Sequence, residues 1–131
     1  MADSLEDIRA LATRFFDAVQ AGDIDTVSSC YADGVGIWHN TDGLTQTKAE
    51  NLETLKGMVK FSKTRKYVDR RLEVYPGGFV QQHVLKAEGI SGYQLTLAAC
   101  IMCKVENGKI TRLDEYFDSA VVNEWRANRG G

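Results

Sequence analysis

No run of apolar residues in this sequence approaches the roughly 20 that a helix needs to cross a membrane. The longest run, Leu97 to Cys103, is only as long as a β-strand. The first residues, Met1 to Glu6, lack the basic flank and the apolar segment of a signal peptide, so we expect none. These features predict a protein without a membrane partner.

An excess of positive charge is also missing. The formal net charge is −2 at pH 7, which lacks the basic balance typical of nucleic-acid binders, so we expect no nucleic-acid partner. The one basic cluster, Lys60 to Arg71, contains Asp69 and alternates with a period of two residues. We interpret it as the solvated face of a strand.

Cysteines are few and odd in number. Three of them fit free thiols in a reducing compartment, and we expect the cytoplasm. Cys100 and Cys103 have the spacing of a redox or zinc motif, but an odd separation on a strand places the two thiols on opposite faces. No other set of potential ligands has metal-binding spacing, so we expect no metal and no cofactor.

The composition that remains is that of one ordinary globular domain. The chain has 131 residues, of which 44% are hydrophobic and 26% charged. This length and balance predict a single domain over residues 1–131. We expect residues 123–131, which end in Arg-Gly-Gly, to form a mobile tail.

The first half of the chain has the patterns of helices. Residues 4–7 and 47–50 each have the sequence of a capping box variant, which predicts a helix start. Gly22 ends the first helix, because a left-handed backbone is comfortable there for glycine. A short second helix begins at Asp23 and ends near residues 33–34.

The second half has the alternating pattern of β-strands separated by glycine-containing turns. Three helical segments followed by an antiparallel meander predict an α+β fold rather than alternating strands and helices. The candidate strands are a short segment at 35–40 and longer ones at 67–75, 79–88, 93–105 and 110–118.

The turns predict which side chains share a face of the sheet. A two-residue hairpin at Asn107-Gly108 pairs Glu106 with Lys109. A two-residue loop at 91–92 likewise pairs the residues on either side of it. Counting outward gives three rows on one face: Gln81–Met102–Leu113, His83–Cys100–Glu115 and Leu85–Ala98–Phe117.

The middle row is the candidate functional site. His83 and Glu115 are ionisable, and ionisable groups on apolar faces are uncommon unless they are used. Two alternatives remain open, a core histidine and a buried glutamate, each satisfied by local hydrogen bonds. A slip of one residue in either loop would send one partner to the other face.

The strand at 93–105 is apolar on both of its faces. Leu97, Ala99 and Ile101 alternate with Ala98, Cys100 and Met102. Because a sheet that is apolar on both sides must be covered on both, we expect the helices and the pocket on one side and a homodimer contact on the other.

The ending from Asn107 to Asp118 resembles the last strand of SnoaL-like proteins, in the nuclear-transport-factor-2-like superfamily. The opening helix and the segment at 23–34 extend the resemblance over nearly the whole chain. The resemblance implies a cone-shaped α+β barrel, in which three N-terminal helices pack on a strongly curved, mainly antiparallel sheet around a pocket. Members include ketosteroid isomerase, polyketide cyclases, limonene epoxide hydrolase and non-enzymatic binders, and many are dimers through the sheet.

Among these, limonene epoxide hydrolase is similar in its pocket motifs. Glu115 stands where that family has an aspartate directly before Tyr-Phe-Asp. Asn40 matches an asparagine that helps to hold the attacking water, while Trp38 replaces a tyrosine. Gln81 and His83 stand where that family has an Arg-x-Asp pair.

His39 has the strand parity of Val35 and Ile37, opposite to that of Trp38 and Asn40. We therefore interpret it as a structural or exposed residue, outside the pocket.

Together these features predict an enzyme that uses acid–base chemistry, without a cofactor, on a small apolar molecule that bears an oxygen function. Glu115 would be the general base, acting on a water held by Asn40 or on a carbon-bound proton. His83 would orient Glu115 or act as the acid. The substrate-binding wall would comprise Trp38, Phe79, Gln81, Leu85, Ala98, Cys100, Met102, Leu113 and Phe117.

Three points stay open from the sequence. A non-enzymatic ligand-binding or dimerisation domain of the same fold is the main alternative, and a partner-binding module like the transport factor is another. The choice between hydrolysis, isomerisation and cyclisation is not made by these motifs. Steroid-like, terpenoid and polyketide substrates are all compatible with them.

Overall fold

The structure is a computed structural model that describes residues 3–131. It contains four helices and six strands, which confirms the predicted α+β class. The elements in chain order are α1 (Leu5–Ala21), α2 (Ile24–Cys30), β1 (Tyr31–His39), β2 (Thr45–Gln46), α3 (Lys48–Lys60), β3 (Ser62–Tyr75), β4 (Gly78–Gly89), β5 (Gln94–Glu106), β6 (Lys109–Phe117) and α4 (Ser119–Asn128).

The helix starts follow the sequence signals. At α1 the Asp7 N–H donates to the Ser4 hydroxyl at 3.1 Å, and the Asp7 carboxylate accepts from the Ser4 N–H at 3.4 Å. The same reciprocal pair caps α3 at Thr47 and Glu50. Gly22, at φ 75°, ends α1 as predicted.

The second helix is shorter than predicted. It ends at Cys30, and Tyr31 begins β1 instead of continuing the helix. Two long-range contacts account for the difference: Tyr31 pairs with Ile110 of β6, and its phenol donates to the buried Asn51 side chain at 2.8 Å. Tertiary pairing here outweighs local helix pattern.

The six strands form one curved sheet in the order β2-β1-β6-β5-β4-β3. All neighbours are antiparallel except β1 and β6, which are parallel. The helices α1 to α3 pack on one face of the sheet, which we call the inner face. The core lies between these helices and the sheet. No helix among residues 3–131 is long and apolar enough to span a membrane.

The predicted register is wrong at both hairpins of β5. At Asn107-Gly108 the structure pairs Glu106 with Lys109 as predicted, but a bulge then shifts the ladder by one residue. Glu115 consequently lies opposite Ile101, not Cys100. A bulge adds a residue to one strand only, so counting from the turn cannot reveal it.

The second slip is in the connection between β4 and β5. Glu88 pairs with Gln94, so the loop is longer than the two residues that were expected, and His83 lies opposite Ala99. Together the two slips offset β4 from β6 by two residues, which keeps every side chain of these strands on its predicted face, so His83 and Glu115 still share the inner face but lie in neighbouring rows. The strand β5 is offset by one residue from each neighbour, so its faces are reversed and its inner face carries Leu97, Ala99 and Ile101.

The face of the sheet turned away from the helices, which we call the outer face, therefore contains the three residues of β5 that were predicted for the pocket. Ala98 and Met102 are exposed there, and Cys100 is half-buried. Met102 is 45% exposed, and Tyr116 beside it on β6 is 47% exposed. The homodimer contact predicted for this face stays a prediction.

The end of the chain is helical where the sequence predicted a mobile tail. Asp118 caps α4 by accepting the Ala120 N–H at 2.9 Å. The indole of Trp125 is buried against Leu95 and Leu97 and donates to the Tyr93 carbonyl at 3.2 Å. Burial of this aromatic ring fixes residues that local composition alone would leave free.

Candidate functional site

A cavity of about 530 Å³ opens between α3, α4 and the inner face of the sheet. Its volume lies in the range of small-molecule sites. Leu85 and Phe117, which were predicted for the wall, both line it. The remaining apolar part of the wall comes from residues that the prediction did not include, namely Leu55, Met58, Leu95, Leu97, Val122 and Trp125.

A carboxylate and an imidazole meet in this cavity. Glu115 on β6 and His39 on β1 are direct partners in the parallel ladder. The His39 Nε2 atom lies 3.3 Å from the Glu115 Oε1 atom, and the two side chains are 17% and 20% exposed. The carboxylate is thus reachable from the cavity while it is held against a potential hydrogen-bond donor.

The interpretation of β1 was therefore inverted. Val35 and Ile37 are buried on the inner face, and His39, which has the same parity, points with them. Trp38 lies on the outer face, where its ring meets that of Tyr116 with centroids 5.3 Å apart. Strand parity was read correctly in the sequence, but the inner face was assigned to the wrong set.

Asn40 lies next to the site without lining the cavity. Its side-chain oxygen accepts the Phe117 N–H at 3.1 Å, and its own N–H donates to the Glu115 carbonyl at 3.0 Å. Both bonds fix the backbone of β6 on either side of Tyr116. Asn40 is exposed and satisfied by the backbone, so its geometry supports β6 and does not point to a water in the cavity.

His83 lies deeper on the inner face than Glu115. The residue is only 3% exposed, and the Gln81 amide nitrogen lies 2.9 Å from its Nδ1 atom. An N–H donated by Gln81 leaves the single proton of the neutral ring on Nε2, which has no partner in the structure. The pKa of His83 is lowered from 6.5 to about 4, because burial outweighs the raising effect of the Glu115 charge and the charge of Arg70 adds to the lowering.

Tyr67 of β3, the edge strand beside β4, joins this group on the inner face. Its ring lies 4.5 Å from that of His83, centroid to centroid, and it lines the cavity. Burial raises the pKa of the Tyr67 phenol, and the charge of Glu115 adds a smaller rise. The phenol therefore stays protonated and is available as a hydrogen-bond donor.

Tyr67 was missed because it falls within the basic cluster, where the charged residues dominated the interpretation. The signal was present, since its alternation with Lys66 and Val68 along a strand places it on one face. Its N–H donates to the Gln20 side chain of α1 at 2.9 Å. That contact ties the strand to the helix just before a bulge at 68–71.

The other predicted wall residues do not reach the cavity. Phe79, Gln81 and Leu113 are buried on the inner face, in the core beneath it. The remaining four lie on the outer face and do not line the cavity, namely Trp38, Ala98, Cys100 and Met102.

Potential metal ligands are scattered. Among residues 3–131, no group of three or more His, Cys, Asp or Glu side chains is placed to hold a metal ion. Cys103 is buried on the inner face and Cys100 is half-buried on the outer face, as strand parity predicts. Burial raises the pKa of the Cys103 thiol, with Glu115 and Asp114 raising it further, so this thiol is held in its unreactive form.

A comparison with protein families finds that the model described as a SnoaL-like domain matches residues 12–113. Similar solved structures include a putative polyketide cyclase from Xanthomonas campestris pv. campestris, with 17% identity, coverage of 96% of this chain and 98% of that chain, and a TM-score of 0.80. PrhC from Penicillium brasilianum NBRC 6234 has 13% identity, coverage of 96% and 89%, and a TM-score of 0.83.

An LEH-like epoxide hydrolase from M. tuberculosis has 20% identity, coverage of 91% and 87%, and a TM-score of 0.72. A search of curated proteins finds no match. At these identities the solved structures show that the fold is shared. The chemistry has to be argued from the residues of this cavity.

Proposed function

Because the chain belongs to the SnoaL-like domain family, we propose that it is an enzyme acting on a small hydrophobic molecule that bears an oxygen function. The reaction uses acid–base chemistry of the side chains without a cofactor, and Glu115 is the base. The observation that carries the proposal is the Glu115 carboxylate, partly exposed in an apolar cavity and 3.3 Å from His39.

The surroundings of Glu115 favour it as a base. Its side chain is only 20% exposed and has Phe117 and Leu97 among the cavity residues around it, so its charge acts at short range on whatever proton the ligand or a nearby water presents. His39 can donate an N–H to one carboxylate oxygen, which leaves the other free. That contact orients the base, the part that the sequence analysis had given to His83.

Tyr67 and His83 have supporting parts in this scheme. The Tyr67 phenol is protonated and lines the cavity, so it can donate to an oxygen on which negative charge develops. His83 is neutral near pH 7 because it is buried, so it is a poor acid and acts by packing and hydrogen bonding.

Two reaction classes fit a single carboxylate with a neutral phenol. In the first, Glu115 takes a proton from water as the water attacks one carbon of an epoxide, the bond from that carbon to the ring oxygen breaks, and the released oxygen takes a proton from the Tyr67 phenol, which Glu115 later restores. In the second, Glu115 removes a proton next to a carbonyl and returns it to another carbon. The similarity in fold to the LEH-like epoxide hydrolase from M. tuberculosis supports testing the first, and the family's range of chemistry supports testing both.

The test uses one probe for each class. Limonene oxide in ¹⁸O-labelled water reports hydrolysis through a labelled diol, and a β,γ-unsaturated steroid ketone reports isomerisation through the absorbance of the conjugated product. We expect turnover of one probe, and Glu115→Gln should lower kcat by about a hundredfold or more, the usual contribution of a general base.

Asp114→Asn is the matched control. Asp114 is the neighbouring carboxylate on β6, but it pairs with Arg112 at 2.9 Å and does not line the cavity. This variant should keep its turnover. Full turnover by Glu115→Gln would show that Glu115 is not the base. Binding of both probes without turnover would favour the alternative, a non-enzymatic ligand-binding domain.

A further inference from the structure

Two arginines stand at the rim of the cavity, Arg126 in the last turn of α4 and Arg129 as its C-cap. Arg126 and Arg129 both line it, and Arg126 is exposed to solvent. The guanidinium of Arg129 stacks over the Phe61 ring at 4.5 Å and over the Trp125 ring at 5.2 Å. Stacking on two aromatic rings holds this group in a fixed position at the edge of the apolar wall.

Neither arginine has an acidic partner. Among residues 3–131, the ion pairs of the structure involve other basic side chains and leave Arg126 and Arg129 without one. The Nε atom of Arg129 is buried and has no hydrogen-bond partner. Burial lowers the pKa of Arg129, and the nearby charge of Arg126 lowers it further, which shows that the two cations repel one another.

The acidic residues of the same cavity are engaged elsewhere. Glu53 pairs with Lys56 at 3.0 Å, and the carboxylate of Asp42 accepts the Leu44 N–H at 2.9 Å. Glu115 meets His39. The cavity thus has a base on the sheet. Its other two acids, on α3 and in the loop before β2, have partners of their own, and its two arginines at the end of α4 have no counterion.

We propose that Arg126 and Arg129 bind a carboxylate on the ligand, whose apolar body fills the cavity. The substrate class is an amphipathic acid: a hydrophobic molecule with a carboxylate at the rim and its reacting oxygen function beside Glu115. The planar fork of a guanidinium matches a carboxylate in geometry, and an anion between the two arginines relieves their mutual repulsion. This inference rests on the proposed function only in placing the ligand in the same cavity.

A simpler role for these residues makes a different prediction. Basic side chains in the last turn of a helix stabilise its C-terminal end, whether or not a ligand is bound. In that case the arginines would contribute to the stability of α4 but not to discrimination between ligands. Discrimination between two ligands that differ only in their head group therefore separates the roles.

The experiment measures binding of decanoate and of decanol, which share a chain and differ in charge. Trp125 lines the cavity and reports binding by its fluorescence, in a Trp38→Phe background that removes the one other tryptophan. We expect Arg126→Gln to weaken decanoate about tenfold, as the loss of one charge-assisted hydrogen bond at a partly exposed site implies. Decanol affinity should change by less than about twofold, since its head group carries no charge.

Two further variants refine the result. Arg126→Lys keeps the charge but loses the planar fork. Its affinity for decanoate should lie between that of the unchanged protein and that of Arg126→Gln. Lys104→Gln removes one positive charge from an exposed position on β5 that does not line the cavity. It should leave both affinities unchanged, which excludes net charge as the cause. Added salt should reduce the preference for decanoate.

Equal affinities for decanoate and decanol in the unchanged cavity would overturn the proposal. So would an Arg126→Gln variant that loses both ligands equally, or that retains its preference for decanoate. If decanol binds in the cavity and decanoate binds no more tightly, only this inference fails, and the cavity remains a site for neutral molecules. Turnover by the protein and its Glu115→Gln variant tests the proposed base separately.

Discussion

Replacing His83 by glutamine should remove a specific dependence of stability on pH. The folded protein holds the His83 pKa at about 4, against 6.5 for the ordinary side chain. Between these two values the unfolded chain binds a proton at His83 and the folded protein does not. The contribution of neutral His83 to the free energy of unfolding is therefore fully present above pH 6.5 and is lost as the pH decreases toward 4.

The structure sets the size of this effect. The difference between 6.5 and about 4, at 1.36 kcal/mol for each pH unit, gives about 3 kcal/mol as an upper limit. The groups around the ring account for the low pKa. Phe16 of α1 and Tyr67 of β3 shield the imidazole from water, and Arg70 repels a second cation, while the Glu115 charge opposes them.

The assay is urea unfolding of the unchanged protein and of His83→Gln, at a series of pH values from 7.5 to 4. The free energy of unfolding of the unchanged protein should fall more steeply below pH 6.5, by up to about 3 kcal/mol in total. His39→Gln is the matched control, because His39 is the second of the two histidines in the chain and lines the cavity, 3.3 Å from the Glu115 carboxylate. Parallel curves for the unchanged protein and His83→Gln would refute the reasoning.

Three other changes test the local geometry. Asn40→Ala removes the acceptor of the Phe117 N–H and should lower the free energy of unfolding by about 1 kcal/mol in urea; no change would mean that the bond is not formed in solution. Trp125→Ala should cost about 3 kcal/mol or more, because it empties the site where α4 is anchored; a loss below about 1 kcal/mol, with α4 amides exchanging freely in both proteins, would support a mobile tail. Tyr67→Phe should leave thermal stability nearly unchanged and lower kcat on the turned-over probe, whereas unchanged kcat would exclude the phenol as a donor.

The elements of the fold could be predicted because their signals are local. The capping boxes at 4–7 and 47–50 each depend on residues three apart, and both are formed. The Asn107-Gly108 turn is formed with Asn107 at φ 52°, as a turn of this type requires. Alternation along the strands also predicted that His83 and Glu115 share a face.

The exact rows of the sheet could not be predicted, because they depend on a bulge and a loop length. One extra residue on β6 and a longer β4–β5 loop reversed the inner face of β5 while leaving its neighbours in place. Both faces of β5 are apolar, so hydrophobic pattern could not choose between Cys100 and Ile101. His39 was lost for a related reason: the side of β1 that faces the core is decided by its pairing with β6.

The helix α4 was missed because its stabilisation is tertiary. Its apolar residues, Val121, Val122 and Trp125, follow helical spacing, but three residues are a weak pattern in a segment this short. The contact that orders it, Trp125 on Leu95 and Leu97, joins segments far apart in sequence. With that contact the arginines of α4 come to the cavity rim, where no motif had placed them.

A crystal structure of the protein with bound carvone, a neutral terpenoid ketone, would show whether Glu115 and Tyr67 face a ligand in the cavity. We expect carvone inside the cavity beneath α4, packed on Leu85, Leu97 and Phe117, with its carbonyl oxygen within about 3 Å of the Tyr67 phenol and its ring against Glu115. Carvone bound on the outer face of the sheet, or held in the cavity with its oxygen turned away from both side chains, would contradict this expectation.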